Sequence, residues 1–162
     1  MVLRNQIEWA LHCCSVLAAC PEGVYLSTKD LAEFHGVPKE YLSKALQNLS
    51  HAGIVETNLG PRGGYKLARP ADKITFLDIV EAIEGRRSTF NCTEIRKNNP
   101  CRNPRQKDTP VCAIAKVMYE ADQAWRNHLK SVRLSDLLAT LEKDLPKDFL
   151  ERVAKWIEER VT

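Results

Sequence analysis

Apolar residues recur at helical spacing through most of the chain, and the places where that period breaks mark its organisation. Leu3, Ile7, Ala10, Leu11, Cys14, Leu17 and Ala18 make one stripe over residues 2–20, and Trp9, Cys13, Val16 and Cys20 make a second. The spacing predicts a helix with little solvated face, buried on more than one side, with a second chain as one candidate to cover it. Ser27 or Thr28 can cap a short helix carrying Leu31, Ala32 and Phe34 that stops at Gly36. Pro38 suits the first turn of the next helix, in which Tyr41, Leu42, Ala45, Leu46 and Leu49 recur before Ala52-Gly53.

The period then changes from helical to alternating. Ile54-Val55-Glu56-Thr57 and Tyr65-Lys66-Leu67 read as paired strands, joined at Gly63 and Gly64, which supply the positive φ of a tight two-residue turn. Residues 74–83 return to helical spacing and end at Gly85. Residues 86–108 are polar, basic and rich in Asn and Pro, and read as a long loop of the kind that is functional or mobile. Thr109-Pro110 then caps a helix with Val111, Ile114, Ala115, Met118, Ala121, Trp125 and Leu129 on one side. Its narrow seam suits dimerisation, with packing onto its own domain as the alternative. Residues 135–143 and 146–161 supply two closing helices.

Helix, short turn, helix and two-stranded wing is the order of a winged helix-turn-helix. The fold expected is therefore mainly α with a small β-wing. Residues 1–85 form the DNA-binding domain, 86–109 a basic loop, and 110–162 a long dimerisation helix with the C-terminal helices. Lys39, Glu40, Tyr41, Ser43, Lys44 and Gln47 of the second helix, Thr28 at the first, and Arg62, Gly63, Gly64 and Lys66 of the wing are the candidate contacts to a double-stranded operator.

Charge refines this picture only locally. A net +3 over 162 residues does not diagnose a nucleic-acid partner, but residues 86–111 hold seven Lys/Arg against two Asp/Glu, while residues 112–162 balance at nine and nine. Arg4, Asn5, Gln6 and Glu8 interrupt the N-terminus where a signal sequence needs apolar residues, and no apolar run approaches a membrane span. A cytoplasmic chain with no membrane partner is expected. No nucleotide-binding glycine motif or catalytic dyad is present, which speaks against an enzyme.

In that setting the six cysteines are better thiols or metal ligands than disulfides. No CxxC pair occurs. Cys92 and Cys101 lie in the basic loop and Cys112 in the first turn of the long helix, where the helix dipole and neighbouring cations favour a thiolate. Thiolates so placed suit an iron–sulfur cluster. Cys13, Cys14 and Cys20 read as small buried hydrophobes. Glu8 and His12, four apart on one helix face, read on their own as a surface ion pair.

The wing, residues 74–85 after it, and the cysteines beyond closely resemble the Rrf2 family of IscR- and NsrR-type winged-helix regulators. The resemblance spans about residues 1–135. It implies a dimeric transcription factor, in many members an iron–sulfur sensor. Cys92, Cys101 and Cys112 are nine and eleven positions apart, whereas the commoner branch spaces its three cysteines by only a few residues. Residues 8–14, 90–96 and 112–115 are similar instead to a narrower branch that holds a 2Fe-2S cluster between subunits. That similarity implies Glu8 and His12 from one chain and Cys92 and Cys112 from the other as ligands, with Cys101 spare or a possible alternative. The implied function is redox sensing through the cluster; the other reading is a cluster-free regulator responding to thiol oxidation, nitric oxide or a small metabolite.

Overall fold

The structure is a computed structural model that describes residues 3, 5–60, 63–103, 105, 107 and 111–161. Seven α-helices and one two-stranded antiparallel sheet form among them: α1 Asn5–Ala19, α2 Thr28–His35, α3 Lys39–His51, β1 Val55–Asn58, β2 Gly64–Leu67, α4 Phe76–Glu84, α5 Ala113–Ser131, α6 Leu134–Asp144 and α7 Lys147–Val161. The expected fold, mainly helical with a small wing, is the observed one.

Local chemistry explains the boundaries. Ser27 opens α2 with a capping box: its hydroxyl accepts from the Asp30 N–H while the Asp30 carboxylate accepts from the Ser27 N–H. Gly36, at φ +62°, closes the same helix. Thr75 and Asp78 repeat the capping box at α4. α2 is thus bounded by its own capping residues, whereas α3 starts after Pro38 without a side-chain cap.

α1 runs through the centre and packs on α3, α4 and α6. This is why it is apolar around most of its circumference: Ile7, Ala10, Cys13, Cys14, Val16 and Leu17 are all buried. From α3 the core receives Leu42, Ala45, Leu46 and Leu49, and from α4 Ile79, Val80 and Ile83. Leu134 of α6 and Ile157 of α7 join the same cluster. α7 closes over α2, with the Trp156 ring meeting Phe34 edge-on at 4.8 Å and Arg160 paired to Glu33 at 2.7 Å.

Two expectations about the wing and one about the first helix require correction. The strands pair Val55 with Leu67 through Asn58 with Gly64, so the connection is the five residues 59–63 and not a two-residue turn. Gly63 and Gly64 do not have positive φ; Gly60 does, at +122°. They are glycines because there is no room for a side chain. A Cβ on Gly63 would lie 2.2 Å from the Asn58 carbonyl oxygen, and one on Gly64 2.3 Å from that of Leu26. The close approach lets Leu26 bridge Tyr65 and tie the wing to the start of α2. The first helix, expected over residues 2–20, is observed as Asn5–Ala19.

The long helix also differs from expectation. It begins at Ala113 with Cys112 as its N-cap, so Cys112 precedes the first turn instead of lying in it. The Thr109-Pro110 cap lies outside the described residues. The apolar set does not make one seam. Ala115 is buried, and Trp125 and Leu129 pack against the chain's own core, whereas Ile114 (71% exposed), Val117 (62%) and Met118 stay open. Periodicity shows that a face is apolar but not what covers it.

Candidate nucleic-acid interface and metal-ligand residues

α3 turns Leu42, Ala45, Leu46 and Leu49 inward, which leaves Lys39, Glu40, Lys44 and Gln47 exposed on its outer side. Tyr41 does not belong to the buried stripe expected for it: it is 61% exposed, and its ring forms a T-shaped pair with Trp9, centroids 6.4 Å apart. Ser43 is half-buried and its hydroxyl donates back to the Lys39 carbonyl at 2.8 Å, which limits its reach.

A groove of about 520 Å³ separates α3 from the wing. Of the candidate DNA contacts, Thr28, Lys39, Gln47, Gly63 and Gly64 line it, while Glu40, Tyr41, Ser43, Lys44 and Lys66 do not. Arg62 lies outside the described residues. Lys29, Ser50, His51, Thr57 and Asn58 line the groove too and were not expected from the sequence. The alternation of Glu56, Thr57 and Asn58 along the wing could have singled out Thr57 on the groove side. Lys66 is engaged elsewhere: its ammonium meets Glu56 at 3.1 Å and lies 5.1 Å from the centre of the Tyr25 ring. Tyr25 also donates to Glu56 at 2.8 Å, and these two hydrogen bonds hold the Glu56 carboxyl below its ordinary range.

The cysteines divide by environment. Burial pushes the Cys13 thiol up to about 12 and the Cys20 thiol to about 11, and raises Cys14 as well, with adjacent Cys13 adding to the effect. Thiols so reluctant to ionise are poor metal ligands. Cys92 and Cys112 are half-buried and Cys101 is exposed; all six are free. The Cys92 thiol donates to Glu94 Oε1 at 3.4 Å. Glu94 itself sits at φ +54°, a conformation rare for a residue with a long side chain, and its carboxylate is gripped by Arg96 Nε and Nη2.

Glu8 and His12 are both exposed on one face of α1 and line a cleft of about 420 Å³ that continues over apolar Ile7, Leu11, Phe76 and Leu137. The His12 ring lies 5.6 Å from that of His35, at the end of α2. Burial, then the charge of His12, hold His35 below its ordinary range, and His35 Nε2 is buried without a hydrogen-bond partner. Among the described residues no three His, Cys, Asp or Glu side chains of one chain converge as a metal site. Glu8 and His12 stand on α1, whereas Cys92 and Cys112 belong to a different segment. Carboxylate, imidazole and two accessible thiols are donors suited to a small iron–sulfur core.

The helix pair α2–α3, the wing tied to it and the open groove between them define a DNA-binding winged-helix transcriptional regulator. A profile of the Rrf2 family, described as iron-dependent transcriptional regulators, matches residues 3–140, and the chain belongs to that family. The protein rrf2 of Nitratidesulfovibrio vulgaris is 35% identical over 113 residues, covering 70% of this chain and 71% of its own length. Among solved structures, CymR, the global cysteine regulator of B. subtilis, superposes with a TM-score of 0.68 at 24% identity, covering 86% of this chain and 98% of CymR. T. potens IscR gives a TM-score of 0.68 at 21% identity, covering 93% and 96%. These likenesses concern the fold. Among the described residues no helix is long and apolar enough to cross a membrane.

Proposed function

We propose that the protein is a homodimeric regulator of transcription that senses redox state through a 2Fe-2S cluster shared between subunits, with Glu8 and His12 of one chain and Cys92 and Cys112 of the other as ligands. The observation that carries the reading is the split of these donors: an exposed carboxylate–imidazole pair on the central helix, and two accessible thiols on a separate segment. The likeness of residues 8–14 and 90–96 to the redox regulator RsrR supports it. Such a cluster supplies one-electron chemistry, and two thiolates with a carboxylate and a neutral imidazole leave it less negative than four thiolates, which favours the reduced state.

The chain's own residues provide the output. Glu8 and His12 share α1 with Trp9, which touches Tyr41 of α3, and His12 lies against His35 of α2. A pull on the exposed face of α1 therefore reaches both helices of the reading head. Ile114, Val117 and Met118, open on α5, supply an apolar face for the second chain. Two-fold operators require recognition helices roughly 34 Å apart, so a small rotation between subunits changes affinity.

Anaerobically purified protein is expected to contain iron and sulfide, to absorb in the visible, and to change operator affinity when its oxidation state changes. Iron-free protein, or an affinity indifferent to oxidation state, overturns the reading. A cluster-free regulator binding a small apolar metabolite is the second reading, favoured by the apolar cleft beside Glu8.

Lys39, Lys44 and Arg62 are proposed as phosphate contacts, with Thr28, Glu40, Tyr41, Ser43, Gln47, Gly63, Gly64 and Lys66 completing the interface. Arg62→Ala and Lys44→Ala should each weaken binding to all sequences alike and flatten the salt dependence by about 0.9 per lost phosphate contact. An unchanged slope in titrations over salt removes that residue from the interface.

A further inference from the structure

The segment that carries Cys92 leaves α4 at Gly85, and among its described residues a single 3₁₀ turn forms, at Ile95–Asn98. Nevertheless its first residues are fastened. Arg126 of α5, with only 17% of its side chain exposed, donates through Nη1 to Glu81 Oε1 of α4 at 2.9 Å and through Nε to Asp122 Oδ2 at 3.0 Å. Its remaining arm, Nη2, donates to the Arg87 carbonyl. The second oxygen of Asp122 accepts from the Thr89 N–H at 3.2 Å. The Phe90 ring then meets Tyr119 edge-on, centroids 5.8 Å apart.

These contacts have an order. Tyr119, Asp122 and Arg126 share one helix face, at spacings of three and four residues. Residues 87, 89 and 90 meet 126, 122 and 119 in turn, so the segment runs antiparallel to α5, towards the helix start that Cys112 caps. Cys92 lies two residues beyond the last anchor, about 7 Å of extended chain. Cys112 lies seven residues before Tyr119, roughly 10 Å of helix.

We infer that Arg126, acting through Asp122 and the Arg87 carbonyl, is the positioning residue that delivers Cys92 to the end of α5 where Cys112 stands. The inference rests on the proposed role of Cys92 as a ligand. Arginine is required because a single rigid fork reaches acceptors on three separate segments; a lysine ammonium in the same place can satisfy only part of that geometry. Through Glu81 the same guanidinium also ties the Cys92 segment to α4, which packs on α1 and α3.

The test uses full-length Arg126→Met, Arg126→Lys and Asp122→Asn. In apoprotein also carrying Cys101→Ser and Cys112→Ser, maleimide labelling of Cys92 should rise at least several-fold in Arg126→Met and less in the other two. Cys101, labelled in a Cys92→Ser background, serves as the comparison and should hold its rate. In anaerobic protein that otherwise has the native sequence, loss of the visible absorption to a chelator should be about ten-fold faster for Arg126→Met, with Arg126→Lys between it and the wild type. A purely structural role would lower the melting temperature without separating Cys92 from Cys101. Equal labelling of Cys92 in wild type and variants overturns the inference, and if Arg126→Met does not fold, Arg126→Lys and Asp122→Asn decide. Wild-type protein without iron would instead refute the cluster reading, and the labelling result would still judge the anchor.

Discussion

Co-expression of a Glu8→Ala/His12→Ala chain with a Cys92→Ala/Cys112→Ala chain is expected to yield one coloured site per mixed dimer, although either variant alone is colourless. The reason is combinatorial. In the mixed dimer the intact thiols of the first chain face the intact carboxylate and imidazole of the second, and the opposite site has lost all four donors. Iron per mixed dimer should be half that of wild type. If the four ligands belonged to one chain, every site in the mixed dimer would lack two of them and the preparation would be colourless. Differential tags on the two chains isolate the mixed species, and iron analysis with absorption spectroscopy reads the result. Replacing Cys13, Cys14 or Cys20 by Ala should preserve the colour, because burial already holds those thiols in the protonated form. Colour in neither the mixed dimer nor the wild type would dispose of the cluster altogether.

The fold could be read from local signals wherever those signals were themselves local. Ser27 with Asp30 and Thr75 with Asp78 are three apart, and Gly36 and Gly85 stand at the helix ends they close. The two-sided apolar pattern of residues 2–20 fits a helix packed on α3, α4 and α6, with Glu8 and His12 on the face that stays open. What could not be read depended on residues distant in sequence. Gly64 is constrained by Leu26, thirty-eight positions away, so its local sequence suggested a turn residue when the real requirement was clearance. α5 carries apolar residues on more than one face, and only the fold distinguishes Trp125 and Leu129, which meet the chain's own core, from Ile114 and Val117, which do not.

The candidate site shows the same division. The exposure of Lys39, Glu40, Lys44 and Gln47 follows from the burial of Leu42, Ala45 and Leu46 on the other side of a helix, and needs nothing more than its period. Asn58, Ser50 and His51 join the groove because the wing folds against α3, which no one-dimensional pattern records. Nothing local in the sequence joins Arg126 and Asp122 to Glu81. In the structure their side chains are 17%, 11% and 19% exposed and hold together three segments. Burial raises the Asp122 carboxyl, but the hydrogen bonds from Arg126 and Thr89 outweigh it and leave the group below its ordinary range. The contribution of this ion pair is therefore present above the ordinary carboxylate pKa and is lost as pH falls through the lowered one.

Gly64→Ala should be the most damaging single substitution in the wing, and it separates clearance from backbone freedom as the reason for a glycine. The added carbon would lie 2.3 Å from the Leu26 oxygen, 2.5 Å from its carbonyl carbon and 2.9 Å from the Ser27 nitrogen, all backbone atoms that cannot swing aside. Relief requires β2 to lift from Leu26, breaking the bond from Leu26 N–H to the Tyr65 carbonyl at 3.0 Å and its reciprocal at 2.8 Å. Two such bonds contribute about 1–3 kcal/mol, and the loss of fit around Tyr65 adds to that. At roughly 2–4 °C per kcal/mol for a chain of this size, the melting temperature should fall by about 5–10 °C. Operator affinity should fall too, because the wing would no longer be held beside Thr28 and α3. Gly23→Ala is the matched control: φ there is +82° and nothing lies within 4 Å of the added carbon. It should cost only about 1–2 kcal/mol of backbone strain and leave DNA binding intact. If calorimetry and gel shifts cannot tell the two variants apart, the wing is not held by its contact with Leu26, and the groove beside α3 loses its structural basis.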